Sequence, residues 1–308
     1  MVMQRLLRVF SWTLFVAFLL VLGMFVGAYW LDYQQRDEVV LAKFNGQRVR
    51  PRLQRYVLGD RTIRFLESVP DSSNTQPVVL FVHGAPSSLT FFNAFFQDTA
   101  LAHHARLVAV DRPGYGSSDF GRVETSIVRQ AQLLQPLIER YRSAPFLVLV
   151  GSSYGGSLAA RLAMNNPETV SHVVFVSSAL GPGLEYTFPI SYWIDEPPLR
   201  WLIPRLILNA NGEKLAHRRA LEEILPDWGK VRAGVTFLHG LRDELVYPSN
   251  VEFARKKLVH AHVKQFILPE SRHDIVVNKR EYMAEIIRGV LAGYAPKTAA
   301  PGAELAGK

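Results

Sequence analysis

Residues 146–165 read FLVLVGSSYGGSLAARLAMN. An apolar run stops at Gly151, and a helix-forming segment begins within a few residues. The join is Gly151-Ser152-Ser153-Tyr154-Gly155, a G-x-S-x-G pentapeptide centred on Ser153. A strand that turns directly into a helix forces its corner residue into strained backbone angles and crowds the chain on both sides. Glycines two places before and two places after relieve that crowding. The corner hydroxyl then projects from the carboxyl end of the strand, while the helix behind it offers free N–H groups and a partial positive charge to a developing anion. Those are the conditions of a nucleophile. The same five residues also suit an ordinary glycine turn, so the reading depends on whether the chain supplies a base, an acid and a second anion donor.

Outward from this stretch the chain alternates. Val78 to Val82 (VVLFV) is a continuous apolar run, and similar runs recur at Leu107–Val110, Phe146–Val150, Val173–Val176, Val235–Leu238 and Gln265–Leu268. Runs apolar on both faces belong to strands covered on both sides. Between them lie helix-like segments at Thr90–His103, Glu124–Tyr141, Gly155–Met164, Asn250–Leu258 and Asp274–Leu291, with Ile127, Ala131, Leu134, Ile138 and Tyr141 spaced as one apolar stripe. Two alternating runs around the turn dipeptide Gly59-Asp60 predict an antiparallel hairpin that opens the domain. The fold class is therefore α/β, a mostly parallel sheet with helices on both faces, and ligands gather at the carboxyl ends of its strands.

The interval 181–229 breaks the rhythm, with no strand-like run and many aromatics and prolines. It reads as a small helical lid over the sheet's upper edge, and Tyr186, Tyr192, Trp193 and Trp201 are its candidate pocket residues. The expected organisation is an amino-terminal membrane segment over 1–35, a basic linker over 36–52, the first part of the core over 53–180, the lid, the second part of the core over 230–294, and a disordered tail over 295–308.

At 308 residues the chain buries a sizeable core without disulfides, and it has no cysteine to form one or to hold a metal as thiolate. The formal charge of +8 comes with no nucleic-acid reading element, since the basic residues crowd toward the amino terminus. A membrane surface is the more economical partner, and no nucleic acid is expected. Val9 to Leu31 is a stretch of 23 residues without a charge. As a helix it extends roughly 34 Å, enough for a bilayer core of about 30 Å. Arg5 and Arg8 precede it and Asp32, Asp37 and Glu38 follow, which places the amino terminus in the cytoplasm and the rest of the chain on the extracytoplasmic side. The competing reading is a signal peptide cleaved near Val26-Gly27-Ala28, after which the protein is secreted; its apolar stretch is longer than the core of a usual signal.

Two loops at strand ends bear on the chemistry. His83-Gly84-Ala85-Pro86 ends the first buried strand, and such a turn aims a backbone N–H at the point that the Tyr154 N–H reaches, with His83 itself held in the turn. Asp111 to Ser118 (DRPGYGSS) is a tight polar loop that reads as scaffold. Of nine histidines, His273 alone follows the last strand and directly precedes the final helix. The acid that orients it is expected one strand earlier, in Leu241-Arg242-Asp243-Glu244, with Asp243 first and Glu244 its nearest rival; Asp274, adjacent to His273, points elsewhere.

These motifs together resemble the α/β-hydrolase fold family over Val78 to Lys297: HGAP at 83–86, DRPGYGSSD at 111–119, GSSYGG at 151–156, HGLRDELVYP at 239–248 and the histidine after LPES. The chain order serine, acid, histidine is the one expected of that family. The resemblance implies Ser153 as nucleophile, Asp243 and His273 as its relay, and the N–H groups of Ala85 and Tyr154 as oxyanion hole. It implies an esterase or lipase-like serine hydrolase cleaving an ester or thioester of a small acyl substrate, with no cofactor and no metal; separately, the lid and the membrane segment together invite a lipid-like or hydrophobic acyl group. Epoxide and haloalkane hydrolases of similar pattern carry aspartate at the nucleophile position, and serine argues against both. Peptidase cleavage, acyl transfer and carbon–carbon hydrolysis use the same three residues, and a membrane-tethered binding protein on the same fold is the reading from another class.

Overall fold

A computed structural model describes residues 2–30, 34–68 and 76–293. The expected tail 295–308 and most of the loop 69–77 lie outside the described residues. Eight strands form one sheet in the order β1-β2-β4-β3-β5-β6-β7-β8. They are β1 (Arg52–Leu58), β2 (Arg61–Glu67), β3 (Val78–Val82), β4 (Arg106–Val110), β5 (Leu147–Ser152), β6 (His172–Val176), β7 (Gly234–Gly240) and β8 (Val263–Leu268). β1 and β2 form the antiparallel hairpin, β2 is antiparallel to β4, and every later pairing is parallel.

Both sides of the sheet are covered. Val78, Leu80 and Val82 of β3 face one apolar cluster and Val79 and Phe81 face the other. All five are 2% exposed or less, and this double burial is why the run alternates in direction but not in polarity. One cluster takes α5 (Ile127–Arg140), α6 (Tyr154–Asn165) and α9 (Ser249–Lys257); the other takes α3 (Asn93–Gln97), α4 (Thr99–His104), α10 (Ile275–Asn278) and α11 (Arg280–Ala292). The predicted helices over 90–103 and 274–291 are each interrupted. Asp98 starts a new helix by accepting from the Leu101 N–H, and Lys279 leaves helical angles between α10 and α11.

An apolar helix α1 spans Val2–Trp30, and its window Met3–Gly23 is long and apolar enough to cross a membrane. The segment 36–52, expected as a linker, instead begins with a helix α2 (Asp37–Ala42) docked on the domain. Val40 and Phe44 are buried in the second cluster, and Asp37 pairs with Arg55 and Arg64. Two apolar side chains and one shared carboxylate fix this stretch; its basic composition conceals them. The lid holds α7 (Leu199–Leu202) and the 20-residue α8 (Arg205–Ile224). A single bridge, Glu185 to Val246, joins the lid's first residues to the loop after β7.

Candidate active site

Ser153 sits between β5 and α6 with φ 52° and ψ −122°, a region that residues with a side chain rarely enter. Its neighbours hold it there: its N–H donates to Val176 O (3.0 Å), and its carbonyl accepts from Gly156 N (2.9 Å) and Ala179 N (3.2 Å). The flanking glycines are required by close approach. A Cβ on Gly155 would stand 2.2 Å from Val82 O, and one on Gly151 would stand 2.6 Å from Gly155 O. The Ser153 corner is thus pressed against the end of β3.

The loop after β8 brings His273 to this corner, with Nε2 3.0 Å from Ser153 Oγ and Nδ1 2.8 Å from Asp243 Oδ2. Asp243 lies in the loop after β7, and the two loops are stitched by Arg242 N donating to Ser271 O (3.0 Å). The other carboxylate oxygen of Asp243 accepts from Leu245 N (3.0 Å) and Val246 N (2.8 Å). Burial alone would raise this carboxyl, but the hydrogen bond and charge of His273, the Val246 N–H and the nearby His239 hold it below the usual carboxylate range. His239 donates from Nε2 to Val246 O (2.9 Å) and so braces the acid loop. Glu244 instead faces Arg272 at the surface, and the Asp274 carboxylate bonds Asn278. His273 keeps a side chain 26% exposed, while that of Asp243 is fully enclosed, so only the histidine edge of the relay meets solvent.

Ala85 and Tyr154 flank the same corner. Among the described residues no backbone carbonyl accepts from either N–H, and Tyr154 opens α6, where the first N–H groups have no partner within the helix. Gly84 lies so close that a Cβ there would come 3.0 Å from Ser153 Cβ. Beneath this loop, Arg112 donates to His83 O (2.9 Å) and Gly84 O (3.2 Å), and its guanidinium lies over the rings of Tyr115 and Tyr154. Glu213, from the lid helix α8, takes two hydrogen bonds from Arg112 (2.7 and 2.9 Å), one from Tyr115 (2.6 Å) and one from Gln130 (2.8 Å). His83 accepts the Arg112 N–H at Nε2, and burial first and the Arg112 charge second push its pKa far down, so it remains neutral.

A second serine, histidine and carboxylate lie one helical turn away. Ser157 Oγ is 3.0 Å from His217 Nε2, and His217 Nδ1 is 2.8 Å from Glu185 Oε1, which Lys214 also reaches at 2.8 Å. The His217 ring stacks on Tyr154 at 4.4 Å. Glu213 and His217 do not stand out as functional in the sequence, but a signal exists. Leu206, Asn209, Glu213, His217, Leu221 and Ile224 share one buried stripe of α8, and polar groups on such a stripe require partners. The four candidate pocket aromatics of the lid are exposed: Tyr186, Tyr192, Trp193 and Trp201 by 40%, 63%, 65% and 71%.

A family model described as the alpha/beta hydrolase family matches residues 79–293. Over 123 residues the chain is 36% identical to the "probable 1-acylglycerol-3-phosphate O-acyltransferase" of Oryza sativa subsp. japonica, covering 38% of this chain and 29% of that one. It is 33% identical over 106 residues to the "sn-1-specific diacylglycerol lipase ABHD11" of Mus musculus, covering 34% of each. Among solved structures, a putative lipase from Acinetobacter baumannii AYE superposes with a TM-score of 0.62 at 17% identity, over 83% of this chain and 95% of that one. The chain thus spans about a third of the length of the curated relatives it matches.

Proposed function

The chain belongs to the alpha/beta hydrolase family, and from that premise we propose that it is a serine hydrolase cleaving ester-type bonds, carboxylester or thioester, through Ser153, His273 and Asp243. The observation that carries this reading is the 3.0 Å contact between Ser153 Oγ and His273 Nε2 at a backbone corner held in strained angles. Ser153 Oγ adds to the substrate carbonyl as its proton passes to His273 Nε2, and the carbonyl oxygen becomes an oxyanion facing the N–H groups of Ala85 and Tyr154. Collapse expels the alcohol or thiol, which takes the proton from His273, and leaves an acyl group on Ser153. Water, deprotonated by His273, then adds to that acyl group, and the acid departs as Ser153 regains its proton. Asp243 remains ionised throughout and stabilises the imidazolium. One oxyanion donor in such a site contributes about 2.7–4 kcal/mol to the barrier. The test is a fluorophosphonate label on the full chain followed by a chain-length series of esters; Ser153→Ala that kept full ester hydrolysis would sink the assignment.

Acyl transfer is a second reading, favoured by the name of the plant relative. It differs only in the last step, where an alcohol replaces water. Product analysis in the presence of an alcohol acceptor separates the two, since transfer yields a new ester and hydrolysis a free acid. The membrane reading is also a proposal: α1 is retained as an anchor, with Arg5 and Arg8 on the cytoplasmic side and the catalytic domain outside. Protease protection of the domain in sealed vesicles tests the side on which it lies.

A further inference from the structure

The lid turns an unusual surface outward. Phe188, Ile190, Tyr192, Trp193, Trp201 and Leu202 are 43–71% exposed, in a stretch whose only charges between Tyr186 and Pro204 are Asp195, Glu196 and Arg200. A clustered apolar surface of this kind marks an interaction site, and tryptophan and tyrosine are the side chains that settle at a membrane–water boundary.

The position of the tether identifies the occupant. From Trp30, the last residue of α1, to Gln35 there are five steps of chain, spanning at most about 17 Å. Gln35 is fixed to the domain: its carbonyl accepts from Arg64 (3.0 Å), and the next turn is held by Asp37 pairing with Arg55 and Arg64. Arg64 also pairs with Asp111 at the carboxyl end of β4 (2.7 Å), and the adjacent residue, Arg112, holds Glu213 of the lid helix. Neighbouring residues of one loop therefore secure the root of the tether and the lid, and both stand at the same end of the sheet as Ser153.

We propose that the exposed aromatic surface of the lid docks on the lipid bilayer that α1 crosses, so that the mouth of the Ser153 site opens toward that leaflet and takes a membrane-resident acyl lipid. This rests on the reading of α1 as a retained anchor. A tether of this length at the catalytic end keeps the opposite end of the sheet, where the amino ends of the parallel strands lie, away from the bilayer.

The absence of cysteine makes single-site labelling clean. Leu19→Cys in α1, Trp201→Cys in the lid and Val259→Cys before β8, at the far end, are each labelled with an environment-sensitive nitrobenzoxadiazole probe in the full chain. The proteins are then reconstituted in phosphatidylcholine–phosphatidylglycerol vesicles with and without nitroxide-bearing lipid. The expected result is loss of emission at positions 19 and 201 and none at 259. Loss at 19 with position 201 behaving like 259 would overturn the lid inference and leave the anchor. No loss at any of the three would overturn both, and loss at 201 without loss at 19 would keep the docking surface while removing the anchor.

Discussion

Two serine–histidine–carboxylate arrays lie within one turn of α6, and their distances are the same. Ser153, His273 and Asp243 are linked at 3.0 and 2.8 Å, and Ser157, His217 and Glu185 at 3.0 and 2.8 Å. They differ in where the hydrogens go. The Ser157 hydroxyl donates its single hydrogen to Tyr154 O (2.7 Å), so the His217 nitrogen facing it must be the donor and cannot act as a base toward it. Glu185 accepts at the other nitrogen, so both ring nitrogens of His217 are engaged. Among the described residues Ser153 Oγ has no such competing acceptor, and it can donate to His273 Nε2. Access differs as well: Ser157 and His217 are wholly buried, while Ser153 is partly exposed and the His273 side chain is 26% exposed. Hydrogen direction and an open edge, not spacing, distinguish the two arrays.

The largest effect that divides the arrays is expected at their serines. Ser153→Ala should abolish fluorophosphonate labelling and lower ester turnover by on the order of 10⁴–10⁶-fold, the range known for nucleophile removal in acyl-transfer triads. Loss of labelling on Ser157→Ala with retention on Ser153→Ala would invert the comparison. Next comes the acid of the open array. Asp243→Asn keeps the shape but offers an amide where His273 Nδ1–H needs an acceptor, and turnover should drop by about 10⁴-fold near neutral pH, measured as kcat on a short-chain ester.

How far the sequence reveals these features follows from where the residues lie. Ser153 and Asp243 follow β5 and β7, strands buried on both faces whose apolar runs end abruptly, so the loops after them are easy to find; His273 follows the edge strand β8, which is partly exposed, and is legible from its place between that strand and the last helices. Glu213 and His217 lie inside a helix, on the face that a 3.6-residue repeat assigns to the core, and their partners Arg112, Glu185 and Ser157 are 32 to 101 residues away. Nothing local distinguishes a buried carboxylate from a solvated one until the partner is known. The loop Asp111 to Ser118 reads as scaffold in the sequence; in the structure it carries the arginine that joins the lid, the His83–Gly84 turn and α5. α2 is hidden for a related reason, because one docked turn amid basic residues has too short a period to register.

The lid's clamp tests whether the closed side of the site supports the open one. Glu213→Gln leaves the Arg112 guanidinium buried opposite an amide, and removing one partner of a buried pair costs about 3–5 kcal/mol. The expected outcome is a lowered urea midpoint. Turnover should also fall, because Arg112 holds the His83 and Gly84 carbonyls beneath the loop that carries the Ala85 N–H. An unchanged midpoint would mean that the lid helix is secured elsewhere.

The smallest expected effects are those that touch the closed array alone. Ser157→Ala removes the acceptor for the His217 Nε2–H, and a buried donor left unpaired costs about 1–3 kcal/mol, while fluorophosphonate labelling at Ser153 should persist. The pH dependence of Glu185 sharpens this further. Burial would raise its carboxyl, but the charges and hydrogen bonds of His217 and Lys214 hold it below its ordinary value. A carboxyl depressed in the folded state stabilises the protein fully above its unfolded pKa, about 4.3, and loses that contribution as pH falls through the lower folded value. Glu185→Gln has no such titration, so the stability gap between the parent chain and the variant, read from urea midpoints, should be widest near neutrality and should narrow below about pH 4. A gap that persisted in acid would mean that Glu185 acts through shape alone and not through its charge.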